Sequence, residues 1–191
     1  MHSAVFSVEY IRRLAVFVIP ILIFFSCGRK YNTQIPIDDA IDVSRIQREV
    51  LLRVNQEFIE EEMQVIETFV ESKNWKMEIT ESGLWYEIYS SGNGEKAVTG
   101  STVTLEYTLS LLDGYVCYSS EEFGTLSFRL GFGNVESGLE EGVLLMRAGD
   151  KARFIMPPHL AHGLIGDADC IPMRAIIIYD VELTEISSIT E

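Results

Sequence analysis

The sequence predicts an α+β fold in which an antiparallel sheet closes over one short helix, with a long helix in front of it. Three observations carry that expectation. From Trp75 onward, apolar residues alternate with polar ones over short stretches, the period-two pattern of half-buried strands. Glycine turns such as Ser82-Gly83 and Gly92-Asn93-Gly94 punctuate those stretches. Before them, residues 38–73 contain no proline and repeat apolar side chains at close to helical spacing.

Residues 1–26 read as a targeting segment. Arg12-Arg13 precedes the apolar run Leu14–Phe25, which is 12 residues long and contains Pro20. A membrane-spanning helix needs about 20 apolar residues, whereas this length suits a signal h-region. The run ends at Ser26-Cys27-Gly28, which resembles a bacterial lipoprotein cleavage site, with Phe24 where an aliphatic residue is usual. That resemblance implies that Cys27 becomes the lipidated first residue and that acyl chains hold the protein at a membrane face in the cell envelope. The alternative is an uncleaved membrane anchor with Cys27 incidental. Residues 27–37 are polar and contain proline, the composition of a tether.

Residues 38–74 form the helical segment. Asp38-Asp39 suits a helix N-terminus. Val43, Ile46, Val50, Leu51, Val54, Phe58, Val65, Ile66, Phe69 and Val70 form an apolar stripe, and Arg45, Arg48, Glu49, Arg53, Glu57, Glu60, Glu61 and Glu62 lie opposite. The stripe is too irregular for a strict heptad seam. The helix packs on its own domain, serves as a dimerisation arm, or acts as a stalk.

Residues 75–191 form the main domain. Met77, Ile79, Leu84, Tyr86 and Ile88 alternate, and Val103, Leu105, Tyr107 and Leu109 alternate again. Phe128-Arg129-Leu130 is a short strand ending in the Gly131-Phe132-Gly133 turn. Gly138 to Met146 is the short helix, with Val143, Leu144 and Met146 facing the sheet and Leu139 toward its open side. Lys151–Met156 and Ile176–Leu183 complete the strands.

The formal net charge is −14, and removing residues 1–26 takes away only Arg12, Arg13 and Glu9. A surface this acidic repels phosphate backbones, so no nucleic-acid partner is expected. No Gly-x-Ser-x-Gly elbow and no phosphate-binding loop occurs. His159 and His162 are three residues apart without a third ligand placed by the sequence, so no metal and no cofactor is expected.

Seven pieces from Gly100 to Ile186 stand in a family order. They are Gly100–Leu109, Leu112-Asp113-Gly114 with Ser119-Ser120, Phe128–Val135, Gly138-Leu139-Glu140-Glu141-Gly142, Met146–Lys151, Pro157–Gly163 with Ile171-Pro172, and Ile178–Leu183. Together they resemble an FKBP-type peptidyl-prolyl cis-trans isomerase domain. The resemblance implies an FKBP-like curved antiparallel sheet wrapped around one helix, with a proline pocket between them.

Prolyl isomerisation needs no nucleophile, metal or cofactor. Its barrier, about 18–20 kcal/mol, is loss of amide resonance. A catalyst holds the twisted, less polar amide better than the planar one, which an apolar, water-poor bowl can do. By the resemblance, Tyr107, Val135, Ile171 and Tyr179 are the catalytic wall and floor, with the Ile171 N–H donating to a substrate carbonyl. Six further pocket positions depart from the family pattern. Cys117 and Leu126 stand for phenylalanines, Tyr118 for an acidic residue, Glu136 for an aliphatic one, Leu139 for a floor aromatic and His162 for a tyrosine. Aromatic rings leave the proline platform and a charge arrives, so turnover is expected to be weak. The clients implied are proline-containing polypeptides. A non-catalytic binding module or chaperone, or a structural subunit of an envelope assembly, is the alternative.

On the family fold, Cys117 and Cys170 both fall on the pocket rim. An oxidising compartment permits a bond between them. Two free, half-buried thiols acting as small hydrophobes is the other reading, and the favoured one at this stage.

Overall fold

The computed structural model describes residues 37–187, with side chains from Ser44 onward. The expectations placed on the signal segment, the lipid at Cys27 and the tether lie outside the described residues. The chain divides into two units, Met1–Val50 and Leu51–Glu191. Helix α1 (Ile37–Lys73) contributes its C-terminal half to the second unit. Then follow β1 (Glu78–Ile79), β2 (Trp85–Ser90), β3 (Thr102–Leu111), β4 (Val116–Ser119), the single turn α2 (Ser120–Phe123), β5 (Leu126–Arg129), α3 (Ser137–Leu145), β6 (Lys151–Met156), a 3-10 turn (Pro158–Leu160) and β7 (Ile177–Ser187).

The strands form one antiparallel sheet in the order β1-β2-β6-β7-β3-β4, with β5 also paired to β3. β3 is long enough to hold both neighbours on one edge. Thr102–Leu105 pair with β5, and Thr108–Ser110 pair with β4. α2, absent from the sequence expectation, is the insertion that separates them.

The inner face packs Leu84, Val103, Leu105, Leu109, Phe154, Tyr179 and Val181 around α3. The helix can lie this close because its contact face carries glycines at i and i+4. A Cβ on Gly142 would sit 2.7 Å from the Phe154 ring, and one on Gly138 would sit 2.9 Å from Met156 Sδ.

The outer face is buried too, where α1 crosses it. Successive strand residues point to opposite faces, so Trp85, Ile155 and Ile178 turn outward beside the inward Tyr86, Phe154 and Tyr179. Register aligns both sets into rows: Trp85 pairs with Ile155 and Ile155 with Ile178. Ile66 and Val70 of α1 cover the outer row, flanked by Phe69, Trp75, Met77, Leu112 and Ile176. Packing on its own domain is therefore the reading that holds for this part of α1. Nearer the middle of the helix, Leu51, Leu52, Ile59 and Val65 are exposed. Among the described residues, no helix is long and apolar enough to cross a membrane.

Candidate functional site

An open cavity of about 520 Å³ lies on the inner side of the sheet, beside the start of α3. β3 supplies Tyr107 and Leu109, two residues apart and hence on one face. β4 supplies Tyr118, β5 supplies Leu126 and β7 supplies Tyr179. Gly133, Asn134, Val135 and Glu136 enter from the segment leading into α3, and Ala161 and His162 follow the 3-10 turn. The Tyr107 and Tyr179 rings lie 6.0 Å apart and tilted. Among the described residues, no lysine or arginine lines the cavity.

Seven of the ten pocket residues singled out in the sequence line this cavity, and three do not. Leu139 is fully buried in the core cluster instead of facing the open side. It lies one residue after Gly138 on the buried side of α3, so it packs beneath the cavity. Ile171 is also buried, and its N–H is not available to a substrate carbonyl. It donates to Asp167 Oδ1 at 2.8 Å. Cys117 is joined to Cys170 by a disulfide across a Cα–Cα distance of 5.6 Å, so the expectation of two free thiols is corrected. The sheet's curvature and the returning loop close a gap of 53 residues, a proximity that no spacing rule encodes.

The disulfide is one of several links that hold the segment from His162 to Ala175. The Tyr118 hydroxyl donates to Asp167 Oδ2 at 2.5 Å. Asp167 Oδ1 accepts from the N–H groups of Asp169 and Ile171. Burial pushes the Asp167 carboxyl up, but the Tyr118 hydroxyl and those two N–H donors outweigh it, so its pKa is lowered. The Tyr118 hydroxyl is correspondingly pushed up to about 12, chiefly by its bond to Asp167. At the far end, Arg174 Nη2 meets Glu62 Oε1 of α1 at 2.6 Å, and its guanidinium lies 3.7 Å from the Phe58 ring centre. These contacts hold Arg174 at φ +57°, a left-handed conformation uncommon outside glycine.

Glu136, the residue preceding α3, sits at the centre of the cavity's polar network. Its Oε1 accepts from the Tyr179 hydroxyl at 3.1 Å and lies 2.8 Å from His162 Nε2. Burial first, and then the Glu136 charge, push the Tyr179 hydroxyl far up. The same two causes raise Tyr107. His159 turns elsewhere, to the Ser82 carbonyl at 2.9 Å.

The sequence reading missed Leu109, Gly133, Asn134, Ala161, Asp167 and Arg174. Leu109 follows Tyr107 on the same strand face, and Gly133-Asn134 and Ala161 adjoin residues already chosen, so simple extension finds those four. Asp167 follows Gly166 and accepts from the N–H two residues on, an Asx-turn pattern that turn chemistry could have flagged, whereas nothing local marks Arg174.

Comparison with known proteins agrees with this geometry. A profile described as FKBP-type peptidyl-prolyl cis-trans isomerase matches residues 93–184. Over 107 residues the chain is 36% identical to FK506-binding protein 1A of Emericella nidulans, covering 55% of this chain and 99% of that protein. The chain belongs to the FKBP-type peptidyl-prolyl cis-trans isomerase family. It is also 35% identical over 121 residues to a probable FKBP-type isomerase of Haemophilus influenzae. That match covers 63% of this chain and 49% of the relative, so the chain spans about half of that relative's length. Among solved structures, FkpA from Escherichia coli matches with a TM-score of 0.60 at 27% identity, over 80% of this chain and 72% of that one. The profile's span contains every residue of the cavity and leaves α1 outside it.

Proposed function

We propose that this protein is an exported, membrane-tethered prolyl isomerase that assists the folding of other envelope polypeptides, with turnover reduced by the polar groups in its pocket. The cavity is the observation that supports this best. Tyr107, Leu109, Leu126, Val135 and Tyr179 make a partly aromatic bowl on the inner face of an FKBP-type sheet. A prolyl ring seated there leaves water, and the twisted amide, having less dipole to solvate, loses less than the planar one. No group need attack or exchange a proton. Glu136 and His162 work against this chemistry, because they place a polar pair in the bowl that favours the more polar planar amide.

The tether rests on the Ser26-Cys27 pattern alone. The clients would be proline-containing chains, and no cofactor enters the reaction. The exposed Leu51, Leu52, Ile59 and Val65 on α1 support a homodimer through that helix, which sedimentation of the mature protein would test.

The deciding assay follows cis–trans exchange of an Ala-Leu-Pro-Phe peptide. The expected result is acceleration over the uncatalysed rate, well below that of a relative with the full aromatic pocket. The polar network favours a second reading, a binding module with the same fold. Absence of acceleration, with retained binding of an unfolded prolyl-containing protein, would select it.

A further inference from the structure

The carboxylate of Glu136 is held by one oxygen only. Oε1 takes both the Tyr179 hydroxyl and the His162 contact, while Oε2 has no hydrogen-bond partner among the described residues. Oε2 is not fully buried, although the side chain as a whole is only 14% exposed. Among the described residues His162 is its sole ion-pair partner, and it carries charge only when protonated. Asp167 and Asp169 approach the hydroxyl of Tyr118, which lines the same cavity. The cavity therefore combines aliphatic and aromatic walls with the Glu136 carboxylate, and among the described residues no lysine or arginine lines it.

That arrangement sorts occupants. A purely apolar ligand would strip the water from Oε2 and leave a charged oxygen unsatisfied, which is the costly outcome. A ligand that brings a cationic donor to Oε2 replaces that water and adds an attraction strengthened by the partly dry surroundings. An acidic ligand meets repulsion as well. We propose that Glu136 makes this pocket select prolyl peptides carrying a lysine or arginine directly beside the proline. The inference rests on the isomerase reading for its substrate frame and names the substrate class of that same site.

The test compares Ala-Xaa-Pro-Phe peptides with Xaa as Lys, Leu or Glu, together with Ala-Leu-Pro-Lys for the other flank. In the wild-type protein, kcat/KM for at least one lysine position should exceed that of the Glu peptide by about five- to tenfold, the scale of a partly exposed ion pair. Raising the salt concentration should shrink that ratio. Glu136→Gln, close in shape, should bring it to within about twofold. A ratio near one in the wild type, a ratio insensitive to salt, or the same ratio in Glu136→Gln overturns the proposal. If no peptide is turned over, the isomerase reading fails, and fluorescence anisotropy with labelled forms of the same peptides then reads the selectivity. Lys-over-Glu binding lost in Glu136→Gln still supports the proposal, and equal binding defeats it.

Discussion

Tyr118 and Asp167 show how one pair of side chains sets the position of a whole pocket segment. Asp167 is more acidic than an ordinary carboxyl at 3.8. A lowered pKa means its contribution to stability is present above 3.8 and is lost as pH falls through the lower folded value. Tyr118 is raised from 10.0 to about 12, so its contribution is present below 10.0 and lost as pH rises through about 12. Tyr118→Phe should therefore cost about 1 kcal/mol at neutral pH, and the cost should shrink toward both extremes. Urea unfolding of wild type and variant across pH checks this. Tyr179, shielded and facing Glu136, should titrate later than Tyr118 in an ultraviolet titration, and Glu136→Gln should bring it earlier. Leu139 carries a different lesson. It is fully buried beneath the cavity, so Leu139→Trp should overpack the core and cost about 1–3 kcal/mol without restoring a pocket floor.

At the scale of elements, the segment between the 3-10 turn and β7 has no regular structure of its own and depends on its anchors. Gly166 makes this acute. It sits at φ +69°, and a Cβ there would lie 2.1 Å from the Ile171 carbonyl oxygen. Gly166→Ala should displace the segment and reduce peptide binding severalfold while leaving the sheet intact, which binding assays and far-ultraviolet circular dichroism would separate. α1 is the complementary case. Ile66 is fully buried against Trp85, Ile155 and Ile178, so Ile66→Ala should cost about 2–5 kcal/mol. The long helix, the short helix and most strands were legible in the sequence because each carries its own periodicity. The outer row was legible only in part. Phe154-Ile155-Met156 and Ile176-Ile177-Ile178 are continuous apolar runs, the mark of a strand buried on both faces, yet nothing in them says which element covers the second face.

For the molecule as a whole, the Cys117–Cys170 bond closes a long loop, joining residues 53 apart. In the chain-entropy view a crosslink of this span is worth about 4 kcal/mol. The Cys117→Ser, Cys170→Ser double variant should lose stability on that scale in urea, and a reductant should lower the wild type to match it. The bond also accords with an oxidising compartment. On the lipoprotein proposal, mass spectrometry of the protein from its native cells should find a lipidated Cys27 at the N-terminus, and an intact Met1 would overturn it.

The sequence by itself determined the fold class and the family, because hydrophobic period and turn glycines are local signals and the ordered motifs span the domain. It also identified seven side chains that share the cavity. Only the tertiary structure decided which atoms of that cavity are already engaged. The Ile171 N–H is taken by Asp167, one oxygen of Glu136 is taken by Tyr179 and His162, and Cys117 is bonded to Cys170. The Asp167–Ile171 contact spans four residues within one turn, whereas the Glu136 contacts and the disulfide join residues 26 to 53 apart, brought together by packing. Hydrogen bonds and disulfides form over a few ångströms in space, a distance that chain spacing does not encode.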